Sequence, residues 1–301
     1  MMQRRFVTLD VFAARPHAGN PLAVVLDADG LDVAAMQAIA REFNLSETVF
    51  VLPPTDPAHR AALRIFTPER ELPFAGHPTV GTAVLLALRD AAEGRPAALL
   101  VLEEEVGFVP CAVGCGTARS GYATFTLPRL PEEVEPAAAL PLLAGALGLD
   151  RRDIGFDTHV PSVFSAGLGF TLVPVATRKA LAEIRLDTSL WSQAMRPVGQ
   201  ENAFAYCRET AEAGHHFHAR MFAPGMGVVE DPATGSAVAA FAGAVMRFER
   251  PGDGEHRLVI EQGYEIGRPS QIELGLRVVD GTLVSATIGG MAVVMSEGQL
   301  L

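Results

Sequence analysis

The stretch HPTVGTA at 77–83 returns, altered but legible, as DPATGSA at 231–237. Its surroundings return as well. RIFTP, with Arg64, Phe66 and Pro68, precedes the first copy, and RMFAP, with Arg220, Phe222 and Pro224, precedes the second. Pro78 matches Pro232, Gly81 matches Gly235, Thr82 matches Ser236, and a run of small and apolar residues follows each copy. A fold that accepts this chain must contain one supersecondary unit twice: a strand, a tight turn and a helix start. The duplication extends upstream. Glu47 stands 30 residues before His77 and Glu201 stands 30 before Asp231, each pair offset by 231 − 77 = 154. The arginines are offset by 220 − 64 = 156, and the two-residue difference falls in the loop that leads into each motif.

A turn that opens a helix exposes unpaired backbone N–H groups at the positive end of the helix dipole, which suits a carboxylate or phosphate. Two facing copies would make a two-sided anion pocket, whereas one copy alone would read as an ordinary helix N-terminus. The 301 residues, 49% of them hydrophobic, are enough for two domains. Lys and Arg number 24 against 35 Asp and Glu, a net charge of −11 without a basic run, which argues against nucleic acid as a partner. No apolar run approaches the ~20 residues of a membrane helix, and Asp10 interrupts the N-terminal stretch before a signal-peptide core forms. Three cysteines argue against a disulfide framework and for a reducing cytoplasm.

Along the chain, Phe6 to Phe12 alternates as a strand, and Pro16, Gly19, Asn20 and Pro21 separate it from a second strand over Leu22 to Leu26. Asp32 is placed to cap a helix whose Met36, Ile39, Ala40 and Phe43 fall on one face. Glu47 opens a strand ending at Leu52; Ala62 to Phe66 is the next strand; an Ala/Leu-rich helix spans about Thr79 to Leu88, apolar nearly all round as a buried helix is. Strands follow between 98 and 127, and the segment Pro128 to Pro136 reads as a surface connection. The order then repeats: a strand over Phe170 to Val175, a helix capped by Thr177, a strand ENAFAYC entered by Glu201, and His216 to Phe222 leading into the second motif. The closing third, through IEQGYEIGRPS and LVSATIGGMAVVM, reads as strand, glycine turn, strand.

Abstraction of a proton from carbon needs a base beside the substrate, partly desolvated, and a carboxylate at the mouth of an apolar strand fits. Glu47 is the leading candidate; Glu201 has the same claim in a two-base scheme, and the competing reading of either is a loop carboxylate bound to nearby N–H groups. His77, fixed between Gly76 and Pro78 at a helix entrance, is favoured as a neutral imidazole that accepts or relays a proton, against a packing role. Asp231 at the matching place is either functional or an N-cap. His215, His216 and His218 invite a metal reading that no further ligand completes, and Cys111 and Cys115 form no zinc pattern. GLG at 167–169 and GMG at 225–227 do not complete a dinucleotide fingerprint, so no cofactor is expected.

DVFAARPHAGNPLAVVL, LSETVFV, RIFTPERELPFAGHPTVGTA, EDPATGSA, IEQGYEIGRPS and the late IGG together resemble the PhzF-like isomerases of phenazine biosynthesis, over nearly the full chain. The resemblance implies a diaminopimelate-epimerase-like α/β (α+β) fold of two pseudo-symmetric halves, each with a mixed sheet wrapped around a central helix and the active site between them. The halves are expected over 1–118 and 119–285, with 286–301 a terminal strand returning to the first half. A cytoplasmic homodimer without cofactor is implied, acting on a small carboxylate-bearing substrate. Glu47 falls on the family's acid/base, with His77 and Asp231 as further catalytic residues; Gly76, Gly235 and Ser236 fall on substrate-binding positions. The characterised phenazine enzyme isomerises trans-2,3-dihydro-3-hydroxyanthranilate with one acid/base, which favours Glu47 alone. Related racemases use two cysteines, and this chain has Gly76, His77, Pro232 and Ala233 where they would be sought. An epimerase with carboxylate bases and a non-catalytic carboxylate binder are the alternatives.

Overall fold

The computed structural model describes residues 3–134, 136–195 and 201–300, so that Glu135, within the expected connection 128–136, lies outside the described residues. The chain divides into two compact units, residues 1–128 with 289–301, and residues 129–288.

In the first unit the strands are β1 (Arg4–Val11), β2 (Asn20–Val25), β3 (Glu47–Leu52), β4 (Ala61–Phe66), β5 (Glu71–Leu72), β6 (Leu99–Glu104), β7 (Gly107–Thr117) and β8 (Ser120–Thr126). Two helices, α1 (Val33–Phe43) and α2 (Gly76–Ala92), complete it. β2 and β3 pair in parallel, as do β4 and β6, while β1–β2, β3–β4, β6–β7 and β7–β8 are antiparallel. Residues 292–300 run antiparallel to β1, and the same C-terminal segment pairs with β8, which closes the ring of strands. α2 packs on β1, β2, β3, β6, β7 and β8, and from Gly76 to Leu88 every residue is buried. A helix walled in on all sides cannot be amphipathic, which is why GHPTVGTAVLLAL has no polar stripe. α1 lies where Asp32 places it: the Asp32 carboxylate accepts from Ala35 N at 2.8 Å, and Met36 and Ala40 pack with Phe50 and Phe66.

The second unit holds β9 (Glu132–Glu133), α3 (Leu140–Leu147), β10 (Ser162–Ser165), β11 (Gly169–Pro174), α4 (Arg178–Glu183), α5 (Thr188–Met195) and β12 (Ala203–Cys207). β13 (Phe217–Ala223), β14 (Val228–Asp231), α6 (Gly235–Ala244), β15 (Gly254–Gln262), β16 (Ser270–Val279) and β17 (Thr282–Leu300) follow, the last carrying the chain into the first unit. The pairing scheme repeats: β11–β12 parallel, β12–β13 antiparallel, β13–β15 parallel and β15–β16 antiparallel reproduce β2–β3, β3–β4, β4–β6 and β6–β7. α6 packs on β9, β10, β11 and β16, and is buried throughout except at Ser236. Asp280 and Gly281 join β16 to β17 with φ of 51° and 69°, the turn that matches strand twist in a hairpin. Gly289 and Gly290, read above as a turn, lie inside β17; a Cβ on Gly289 would meet Tyr122 Oη at 2.7 Å and Ala123 O at 2.9 Å, so glycine there allows close strand packing.

A carboxylate device repeats as well. Glu103 accepts from Thr55 N and Asp56 N, both at 2.9 Å, and meets His59 Nδ1 at 2.8 Å. Glu261 accepts from Ala211 N at 2.7 Å and Glu212 N at 2.8 Å, and meets His215 Nδ1 at 2.7 Å and His218 Nδ1 at 2.6 Å. Hydrogen bonding holds both carboxyls down at about 2; for Glu261 it overcomes the upward push of burial. Of the three histidines that invited a metal reading, His215 and His218 are thus partners of a carboxylate from another strand, and His216 Nδ1 accepts from Val259 N at 3.1 Å. No helix among the described residues is long and apolar enough to cross a membrane.

Gly81 faces β1 and β2, where a Cβ would lie 2.6 Å from Val11 Cγ2 and 2.7 Å from Leu22 Cδ2. Gly81→Ala is therefore expected to cost about 1–3 kcal/mol through overpacking. Gly114→Ala, with no atom within 4 Å of the added Cβ, should stay within about 0.5 kcal/mol of the parent. Chemical denaturation of both variants checks the contrast.

Candidate functional site

Two glycines start the two buried helices. Gly76 is the first residue of α2, with Ala75 as N-cap, and Gly235 is the first of α6, with Thr234 as N-cap; neither cap is closed by its own side chain. α2 therefore starts three residues before the expected Thr79. Pro78 permits this, because in the first turn of a helix its missing N–H is not needed. Gly81 and Thr82, matched in sequence to Gly235 and Ser236, consequently lie inside α2 and serve packing rather than a helix entrance.

His77 follows Gly76 in the first turn and is 4% exposed. Burial holds its imidazole down at about 3, against a smaller upward push from the Pro21 carbonyl, so the ring is neutral near pH 7. Its Nδ1 lies 3.4 Å from Glu47 Oε2. With the ring neutral this is not an ion pair but a contact between a carboxyl and a group carrying one N–H and one lone pair. Nδ1 offers Glu47 an N–H in one tautomer and a lone pair in the other, so each tautomer suits one protonation state of Glu47. Glu47 opens β3, opposite Leu22 of β2, with its side chain 18% exposed. The sequence placed both residues correctly on their elements, and the fold of the first unit joins them.

In the second unit Asp231 ends β14 and is 8% exposed. Its Oδ2 accepts from the Thr234 hydroxyl at 2.5 Å. Gln262 ties this turn to β15: its Nε2 donates to Asp231 O at 2.7 Å and to Thr234 Oγ1 at 3.0 Å, and its Oε1 accepts from Thr234 N at 3.1 Å. Gly263 beside it has φ of 79° and approaches so closely that a Cβ would lie 2.6 Å from Pro232 O. The held turn explains why α6 starts at Gly235, after the motif's proline, while α2 starts before its own. His77 and Asp231, aligned in sequence, thus differ in place: one within a helix, the other at a strand end. Ser236, second residue of α6, is partly exposed.

Strand register also separates Glu201 from Glu47. Thr48 pairs with Phe66 and Ala203 pairs with Phe222, so the residue matching Glu47 is Asn202, whose Nδ2 donates to Gly169 O at 3.5 Å. Glu201 sits one residue earlier; its carboxylate accepts from Ser192 Oγ and its carbonyl from Trp191 Nε1 at 3.0 Å. Burial raises the Cys111 and Cys207 thiols to about 12, so neither is a thiolate at neutral pH. Thr234 and Gln262 were not singled out in the sequence, although IEQG was among the quoted motifs; so was Thr79, inside HPTVGTA.

A family model described as phenazine biosynthesis-like protein matches residues 9–298. An uncharacterised isomerase of Mesorhizobium japonicum is 52% identical, over 100% of this chain and 99% of that protein. The trans-2,3-dihydro-3-hydroxyanthranilate isomerase of Pseudomonas aeruginosa is 35% identical, over 98% of each. A Bacillus anthracis phenazine biosynthesis protein of the PhzF family, solved by crystallography, superposes with a TM-score of 0.88 at 27% identity over 100% of both chains.

A histidine whose value in the folded state is depressed binds its proton later than in the unfolded chain, so it withdraws stability as pH falls from about 6.5 toward its folded value of about 3. His77→Gln should flatten the acid limb of the melting temperature in that window. In the parent, the His77 ring resonance should not titrate between about pH 8 and pH 4. Titration with an ordinary midpoint would show that the ring is not buried as described.

Proposed function

The chain belongs to the phenazine biosynthesis-like protein family, and from that premise we propose that it is a cofactor-independent isomerase that moves a proton between two carbons of a small carboxylate-bearing molecule. Its fold is the α+β, diaminopimelate-epimerase-like fold of those relatives. The observation that carries the reading is the contact between Glu47, at the mouth of β3, and a neutral, buried His77 at 3.4 Å.

In the proposed reaction the Glu47 carboxylate removes a proton from a carbon activated by an adjacent double bond. The C–H pair moves into the unsaturated system and the double bond shifts. The same carboxyl then returns its proton to a second carbon on the same face, so that no atom is gained or lost and Glu47 ends ionised. His77 Nδ1 meets Glu47 with an N–H or a lone pair according to the tautomer of the ring, the first suiting the carboxylate and the second the carboxylic acid. The backbone N–H of Gly76 at the first position of α2 is suited to a substrate carboxylate, and the start of α6, with Gly235, Ser236 and Asp231, is a second polar helix start of the same kind. A homodimer in the cytoplasm belongs to the proposal through the family resemblance. Engagement of Glu201 by Ser192 and Trp191 weighs against a symmetric pair of carboxylate bases.

With trans-2,3-dihydro-3-hydroxyanthranilate or a related cyclic acid in deuterium oxide, turnover should place deuterium at the accepting carbon. Glu47→Gln, which keeps shape and loses the base, should lower kcat by about a thousandfold and abolish exchange. Full exchange in that variant would sink the assignment.

A further inference from the structure

Glu104 ends β6 and Gln262 ends β15, and strand register makes them equivalents: Ala62 pairs with Glu103 in the first unit as His218 pairs with Glu261 in the second. Each reaches the start of its unit's buried helix. Gln262 does so as a neutral amide that both donates and accepts at the turn before Gly235. Glu104 Oε1 lies 2.7 Å from Thr79 Oγ1, which in turn lies 2.8 Å from the carbonyl of Ala75, the N-cap of α2.

A threonine hydroxyl has one proton. Thr79 Oγ1 has two acceptors in reach, Ala75 O and Glu104 Oε1, and its one proton serves only one of them; with a proton on the Glu104 carboxyl both contacts are hydrogen bonds. The setting agrees: Glu104 is 7% exposed, its Oε2 has no hydrogen-bond partner among the described residues, and an ionised carboxylate left so would carry a large desolvation cost.

We infer that Glu104 is held as a neutral carboxylic acid and, as Gln262 does in the other unit, acts as a positioning residue for the helix start that carries Gly76 and His77. Its catalytic consequence rests on the isomerase reading; its protonation and its grip on the turn do not.

Burial drives Glu104 up to about 8. The group facing it from α2 is Thr79, and from β7 the Cys111 thiol, itself pushed up to about 12 by burial and by Glu104 and therefore neutral throughout this range. The sign follows from linkage. Below the ordinary glutamate value of 4.5 both states are protonated; between there and about 8 only the unfolded chain has lost the proton, so stability falls as pH rises and levels off above.

Glu104→Gln replaces the acid by the group that unit 2 already uses. Its melting temperature relative to the parent should climb from about pH 5 to about pH 8 and then stay constant. It should keep turnover at pH 7 and lack the alkaline decline of kcat/KM expected of the parent as Glu104 ionises near pH 8, whereas Glu104→Leu and Thr79→Val should lose turnover both at pH 7 and above pH 8. If Glu104→Gln fails to fold, the infrared spectrum of the parent decides: a protonated carboxyl band at pH 7 that fades through about pH 8 supports the inference, and its absence overturns it. An unchanged pH dependence in Glu104→Gln also overturns it, as does loss of turnover at pH 7 equal to that of Glu104→Leu. A parent with no isomerase activity would sink the functional reading alone, since the melting and infrared measurements need no substrate.

Discussion

Burial of α2 on every side is the constraint from which the first unit follows. A helix enclosed by β1, β2, β3, β6, β7 and β8 presents no flank to water, so its side chains from Gly76 to Leu88 are small or apolar apart from His77, Thr79 and Thr82. Where walls press closest the side chain vanishes, at Gly81 against Val11 and Leu22. Polar chemistry is left one outlet, the helix N-terminus, where backbone N–H groups lack partners within the helix. His77 stands at that outlet, and Glu47 meets it from the neighbouring strand end. The second unit solves the same problem with α6, whose core face is built largely of alanine.

Strand alternation lets two consecutive residues do different work at one place. Glu103 points to one face of the sheet and binds the loop of Thr55, Asp56 and His59; Glu104 points to the other and reaches α2. Glu261 and Gln262 divide the same duties between the loop of Ala211 to His215 and the turn before α6. The outward carboxylates are stabilised by backbone and histidine donors and are strongly acidic. Of the inward pair, Gln262 as an amide both accepts from Thr234 N and donates to Asp231 O, while Glu104, buried with its Oε2 unpartnered among the described residues, takes the proton itself.

The duplication was legible because RIFTP/RMFAP and HPTVGTA/DPATGSA fix strand and turn residues that local chemistry requires. α1 was legible because Asp32 and a 3.6-residue period agree. Register was not, since loops of unequal length shift the copies: equal spacing from the motif made Glu201 the partner of Glu47, yet cross-strand pairing gives that place to Asn202. Helix starts were blurred for a similar reason. Pro78 sits comfortably in a first turn, while Pro232 lies in a turn held by Gln262 and Gly263, side chains and backbone that come later in the chain. The joining of His218 to Glu261, 43 residues away, is likewise a tertiary fact with no local signature.

The passage of β17 from one unit into the other sets an order on biosynthesis. Residues 1–128 emerge first, but the ring around α2 stays open between β1 and β8 until 289–300 arrive to pair with both. The second unit is contiguous and can complete itself earlier. On a ribosome, where N-terminal domains generally fold as they appear, the first half of this chain must wait for its last strand with two strand edges unpaired. Its need for protection from aggregation therefore lasts until residues 289–300 have left the ribosome.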